Sequence, residues 1–249
     1  MALQEEFESQ GNFLFRYRST LPIVLVAAGI WVFVFNRLSI NYEALVNYSL
    51  LEYISLVVSF FGFAIRIYAV GHTPAKTSGR NTKVGQLAEE LNTTGIYSII
   101  RHPLYFGNFF MWLAVALLCE QAWFVGFFIL AYWFYYERIM YAEEQFLRRK
   151  FGAVYTEWAA VTPAFIPSLH QFVKPKYSFS IKKVLKKEKN GLLAIFFLLF
   201  MFHNIGYSIE QKEVAVNCNW ICYATIASGI IYLILKGLKR TSILNQEGR

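Results

Sequence analysis

Arg101, His102 and Pro103 stand at the lip of an apolar run that continues almost unbroken to Leu118, and two adjacent acids, Glu143 and Glu144, follow the next apolar run. Each of these residues has a chemical use. Proline fits the first turn of a helix, where its missing N–H costs nothing. The free amides of such a turn carry partial positive charge and favour a carboxylate or phosphate. Arg101 and His102 add donors beside them, and the two glutamates supply the opposite sign, suited to an ammonium or sulfonium group. Tyr97 and Tyr105 offer flat faces for an adenine or a cation. Together they could hold a zwitterion. Singly each has a plainer reading: a membrane-edge arginine, an ordinary helix-starting proline, a solvated acidic pair.

The elements that must position these groups are membrane helices. The chain is 56% hydrophobic and only 16% charged, a composition outside the soluble range. Apolar runs near the roughly 20 residues needed to cross a bilayer occur at about 21–38, 50–70, 104–119, 122–141, 192–209 and 220–238. The fold class is therefore all-α, a polytopic membrane protein with about six spans. Lys and Arg gather before the first span, in the second loop with Lys76, Arg80, Lys83 and Arg101, in the fourth loop and after the last span. That alternation predicts both termini and the polar pocket on the cytoplasmic side of a bacterial inner or ER-type membrane. It also accounts for the net charge of +8 without nucleic acid. Glu5, Glu6 and Glu8, with no basic run before them, argue against a cleaved signal peptide.

Geometry brings the two motif regions together. Only Glu120 and Gln121 separate the third and fourth spans, which makes them an antiparallel hairpin. The fourth span should continue a turn or two past the bilayer, because Met140, Phe146, Leu147 and Phe151 keep a helical period. His102 and Glu143 then face one pocket. The segment SIKKVLKKEKNG suits an amphipathic helix lying on anionic lipid, and equally an ordinary basic loop. Cys119, Cys218 and Cys222 are too few and poorly spaced for a metal site. His203, Asn204 and Glu210, in or beside the fifth span, read first as hydrogen-bonding partners between helices.

The motif GIYSIIRHPLYFGN, followed by EEQFLRRKFGAVYTEWAAVTPAFIP, resembles the isoprenylcysteine carboxyl methyltransferase and phospholipid methyltransferase superfamily over about residues 80–167. The resemblance implies S-adenosylmethionine as cofactor, with contacts from Tyr97, His102, Pro103, Tyr105 and Glu143 and from the backbone around Leu91 and Asn92; Arg101, beside His102, joins the cofactor-binding set as a donor. It also implies an arginine shortly before the glutamates that orients the acceptor, the role of Arg138 here, though with a spacing one residue longer. No metal is implied. Residues 1–249 form a single membrane domain in this reading, with the core at 80–167 and a basic loop and two additional helices at 168–249.

Methyl transfer from a sulfonium is an in-line displacement that asks chiefly for alignment and exclusion of water. An ionised carboxylate or phosphate needs no base. An amine would need one, from His102 or Glu144. The balance favours O-methylation of an acidic group on a lipid or lipidated acceptor that enters from the bilayer, over N-methylation of an ethanolamine headgroup. A transport or lipid-binding protein is the alternative of another class. It would show helices broken in two matching halves, which the sequence lacks. The oligomeric state is open.

Overall fold

A computed structural model describes residues 2–18, 20–39, 48–74, 77, 87–246 and 248, with Leu21 and Tyr48 as backbone only. Lys76, Arg80 and Lys83 lie outside the described residues. Among the described residues there are eight α-helices and no strand, only one isolated bridge between Gly95 and Val173. The helices are α1 (Leu3–Arg16), α2 (Thr20–Ser39), α3 (Tyr48–His72), α4 (Pro103–Leu117), α5 (Ala122–Phe151), α6 (Ala153–Val161), α7 (Ile181–Gln211) and α8 (Trp220–Arg240).

All six expected spans are helices, but they are unequal. Within α2, α3, α7 and α8 there are stretches long and apolar enough to cross a membrane. Helix α4 has 15 residues, a rise of about 22 Å against a hydrocarbon core of about 30 Å. Helix α5 runs 30 residues and carries its charged end well past Tyr141, as its period predicts. Two helices had no counterpart in the apolar runs: α1, which packs along α5, and the short α6.

The amphipathic segment on the lipid surface is corrected. Residues 181–191 are the first turns of α7, continuous with the fifth span. The helix runs on through Asn190 and Gly191, a turn-type pair that its packing overrides, and Ser180 caps the start by accepting from the Lys183 amide. Lys183 is buried and donates to the carbonyls of Thr73 and Pro74, where α3 ends. A cation at the last carbonyls of a helix is favourably placed. This contact joins α7 to the end of α3 that lies near His102.

Helix α3 packs along α4 through glycines. A Cβ at Gly62 would meet the Gly107 carbonyl oxygen, and one at Gly107 would come within 2.7 Å of Gly62 O and of Arg66 Cγ. Bare backbones at this crossing let the helices approach closely. Valine at Gly62 must push them apart, so we expect Gly62→Val to destabilise by about 1–3 kcal/mol, read as a lower thermal midpoint in detergent. A conservative Gly126→Ala, with nothing within 4 Å of its Cβ, should not lower that midpoint.

At the opposite end, polar side chains join helices as expected. His203 on α7 meets Glu52 on α3 at 2.7 Å and Asn219 at 2.9 Å, and Asn204 accepts from the Asn217 amide. Glu210 accepts from Arg37 of α2. These groups tie helices and loops together.

Candidate functional site

The site is assembled by a chain segment with little regular structure of its own. Gly95 adopts φ +63, a left-handed conformation that glycine takes without strain, and opens the 3-10 turn Ile96–Ser98. The Gly95 amide donates to Val173 O, the Ser98 hydroxyl accepts from the Val173 amide, and Trp158 Nε1 donates to Tyr97 O. The Arg101 amide donates to Pro163 O, and the Ser168 amide to Ile99 O. The segment after α6 thus runs alongside residues 95–101 and fixes them. Gly152, at φ +56, ends α5 and starts α6, so that Tyr155 folds in fully buried beneath the site. The Phe-Gly-x-x-Tyr and proline-rich parts of the motif are in this sense scaffolding for the Arg-His-Pro part.

Pro103 occupies the first turn of α4, with His102 at the N-cap. The His102 ring is 7% exposed and lies between two carboxylates. Its Nε2 is 3.0 Å from Glu144 Oε1, and its Nδ1 is 3.7 Å from Glu143 Oε2. Arg101 donates to the other oxygen of Glu144 at 3.2 Å. Burial pushes the Glu143 carboxyl above the usual carboxylate range, against the His102 charge and a hydrogen bond from the Tyr105 hydroxyl. Burial pushes Glu144 the same way, but the His102 hydrogen bond, its charge and Arg101 outweigh it and hold Glu144 below that range. Neighbours on one helix, these two acids are in different electrostatic states. Burial and the Glu143 charge raise the Tyr97 phenol, which stays neutral.

Behind them stands an aromatic column. Tyr105 lies near-parallel to His102 at 5.8 Å between centroids, Tyr136 packs on Tyr105 at 4.8 Å, and Tyr132 stacks on Tyr136 at 4.2 Å. The Tyr132 hydroxyl donates to Tyr105 O at 2.7 Å.

Tyr97, Arg101, His102, Pro103, Tyr105 and Glu143 all line one cavity of about 730 Å³. It follows α4 from Pro103 to Leu118 and is walled by α3, α4, α5 and α7. That length of helix corresponds to about 22 Å. Its His102 end is polar, with Arg18, Arg66, Asn108 and Glu188 added to the motif residues; its far end is made by Leu56, Val115, Leu118, Ile195 and Leu198.

Four expected site residues stand elsewhere. Leu91 and Asn92 line a second, smaller cavity of about 110 Å³ with Glu90, Lys176 and Tyr177, and it shares only Tyr97 with the first. Glu144 is behind His102, bonded to it and to Arg101, and is not part of the cavity wall. Arg138 faces α1: its guanidinium carbon is 3.6 Å from the Phe7 ring centroid, and it donates to Glu137. The extra residue before the glutamates turns Arg138 by about 100° on the helix, and α1, pressed in at Gly11, covers it. Arg138 thus stands outside this cavity, against α1.

Arg66 and Glu188 were not singled out as site residues, though each carried a signal. Arg66 is a charge inside an apolar run, which marks function more often than position. Glu188 is the lone acid in KKVLKKEKNG.

An all-helical membrane protein with a cavity that is charged at one end and apolar at the other is the class that fold and site define. The model of the phospholipid methyltransferase family matches residues 51–154. Protein-S-isoprenylcysteine O-methyltransferase B of Arabidopsis thaliana is 32% identical over 150 residues, which cover 52% of this chain and 75% of that protein. A probable protein-S-isoprenylcysteine O-methyltransferase of Oryza sativa subsp. indica is 35% identical over 133 residues, 51% of this chain and 66% of the relative. The nickel-cobalt-cadmium resistance protein NccN of Alcaligenes xylosoxydans xylosoxydans is 35% identical over 88 residues, 35% of this chain and 41% of that protein. No solved structure matches. The chain belongs to the isoprenylcysteine carboxyl methyltransferase and phospholipid methyltransferase superfamily, and it is a membrane methyltransferase.

Proposed function

We propose that this protein uses S-adenosylmethionine to O-methylate an acidic group on a lipid or lipidated acceptor, at the cytoplasmic face of the membrane. The observation that carries the reading is the single cavity whose charged end at His102 opens directly into an apolar channel between α3, α4 and α7. A molecule that fits such a space has a polar head and a hydrocarbon body. The names of the plant relatives, with their S-isoprenylcysteine acceptors, suit it.

The donor set fits the cofactor. A zwitterion with a further sulfonium charge and an adenine needs cationic donors, a carboxylate and flat aromatic faces. Arg101, His102 and the α4 amides would hold its carboxylate, Glu143 its cationic part, and Tyr97 and Tyr105 its ring. The small cavity at Leu91 and Asn92, reached past Tyr97, would take another part of the same molecule. When bound, S-adenosylmethionine supplies an electrophilic methyl group on sulfur. The residues of the chain then have three tasks: to hold the two reactants in line, to exclude water by the α3, α4 and α7 walls, and to keep the acceptor ionised. Glu144, bound to His102 and Arg101, positions the imidazole.

The family model is that of a phospholipid methyltransferase; the alternative acceptor, an ethanolamine headgroup, would need a base free to take a proton. Both carboxylates near His102 are engaged with it or with Tyr105, which favours an acceptor that is already anionic. The basic residues of the loops and helix ends near His102, among them Arg16, Arg101 and Lys182, support the cytoplasmic placement of this end and of both termini.

Calorimetry of the full chain in detergent should show S-adenosylmethionine binding that Glu143→Gln weakens by about tenfold or more, the loss of one charged partner. Methyl label transferred to membrane lipids should be released by mild base. Label held only in base-stable headgroups would count against the anionic acceptor, and a folded wild type that binds no cofactor would overturn the enzyme reading.

A further inference from the structure

Helix α7 places a carboxylate inside the cavity, on an arginine. Glu188, 3% exposed, accepts from Arg66 Nε at 2.9 Å and from Arg66 Nη2 at 2.8 Å, a two-pronged contact on one edge of the guanidinium. The remaining Nη1 donates to Asn108 Oδ1 at 2.6 Å. All three side chains line the cavity. We propose that Arg66 is the anchor for the anionic group of the acceptor, and that Glu188 holds that place until the acceptor takes it. The proposal rests on the anionic-acceptor reading above and names the residues that would read it.

Position argues for this first. Asn108 is one helical turn beyond Tyr105 and one turn before Met111 and Trp112 of the apolar stretch. Arg66 therefore stands where the polar end of the cavity gives way to the apolar end, the level at which the head of a lipid joins its tail. Gly107 makes the position possible, since a Cβ there would come within 2.7 Å of Arg66 Cγ. Chemistry argues next. A guanidinium edge takes any planar carboxylate, or two oxygens of a phosphate, in the same two-pronged manner. The Glu188 carboxylate is thus a close copy of a carboxylate acceptor. Asn108 holds the third N–H group from the α4 side, so the fork keeps its aim when its partner changes. Finally, the Arg66 side chain keeps 21% of its exposure, whereas Arg37, in the ion cluster at the other end, keeps 1%.

Exchange predicts opposite signs for the two partners. Arg66→Gln removes the anchor and should raise the KM for an anionic acceptor by about 10- to 100-fold, the loss of a charged hydrogen-bonding partner. Glu188→Gln removes the competing charge but keeps an oxygen for Arg66, and should lower that KM. Arg66→Lys, a point charge without the fork, should recover only part of the loss. S-adenosylmethionine affinity, measured by calorimetry, should stay within about twofold in all three variants.

The probes are S-farnesyl-N-acetylcysteine, its neutral amide, and a single-chain lipid phosphate, each titrated into wild type and variants in detergent alongside turnover. Preference for the carboxylate or for the phosphate, strengthened by Glu188→Gln and abolished by Arg66→Gln, supports the proposal and says which anion is read. If cofactor binds and methyl transfer proceeds, but Arg66→Gln and Glu188→Gln both lower thermal stability and neither moves acceptor affinity, the pair is structural and the proposal fails alone. If the probes bind equally as acid and amide, the anionic-acceptor reading fails with it.

Discussion

Replacing His102 by alanine should lower methyl transfer by about 10²- to 10³-fold, the cost of removing one partner from a buried charged cluster. The imidazole stands between Glu143 and Glu144 and is almost fully buried. Without it, Glu144 keeps Arg101, and Glu143 keeps Tyr105 and the smaller influence of Arg18. The Glu143 carboxyl is already raised by burial, and His102 is the largest influence drawing it back. Its removal must raise Glu143 further, toward the protonated form, and so withdraw the negative charge proposed to meet the cationic part of the cofactor. The sign gives a second readout. Residual activity of His102→Ala should increase with pH over a higher range than in wild type, because Glu143 must first lose its proton. Glu144→Gln should cost less, since the amide oxygen can still accept from one of the two donors, Arg101 or His102. Calorimetric affinity for S-adenosylmethionine and single-turnover transfer measure both. A His102→Ala protein that binds cofactor as tightly as wild type would remove His102 from the site.

The motif residues were legible in the sequence because their chemistry is local. Proline at a helix start, histidine before it and a pair of acids on the next helix have fixed relations once the hairpin is recognised, and the structure brings five neighbours of that set, with Glu143, around one cavity. Arg138 shows the limit of such reasoning. Its distance from the glutamates could be counted, but the presence of α1 on that face of α5 could not, since α1 is too polar for an apolar run and owes its place to packing at Gly11. Leu91 and Asn92 line a second cavity that meets the first at Tyr97, a division that counting along the sequence could not show.

Helix α7 was the larger omission. Four lysines before Glu188 read as a surface pattern, and only the tertiary structure shows Lys183 drawn onto the end of α3 and Glu188 onto Arg66. The sequence pattern records which residues are charged, and not which charges are brought together across more than a hundred residues. His203, Asn204 and Glu210 went the other way: the reading as partners between helices was sufficient.

At the end of the bundle away from His102, Arg37→Met should destabilise the protein by about 3–5 kcal/mol. Arg37 donates from Nε and Nη2 to the two oxygens of Glu120 and from Nη1 to Glu210, so one guanidinium joins α2, the turn between α4 and α5, and α7. Arg37 and Glu120 are 1% and 3% exposed at their side chains. Methionine would leave the Glu120 charge buried without its main partner. Glu120 also has φ +59, a left-handed conformation that costs a non-glycine residue about 1–2 kcal/mol and that the Arg37 clamp helps to hold. Gly206 leaves the room: a Cβ there would come within 2.9 Å of Arg37 Nη1. The double variant Arg37→Met with Glu120→Gln should recover part of the loss, because an uncharged amide is far cheaper to bury than a carboxylate. Thermal unfolding in detergent checks both, and equal midpoints for wild type and Arg37→Met would mean that water screens the cluster. Leu118 lines the apolar end of the cavity two residues before Glu120, so in the proposed reading the same clamp would set how far an acceptor tail could reach. A loosened turn in Arg37→Met should therefore relax the discrimination between acceptors of different chain length at temperatures below its midpoint, while the affinity for S-adenosylmethionine at the His102 end stays as it is.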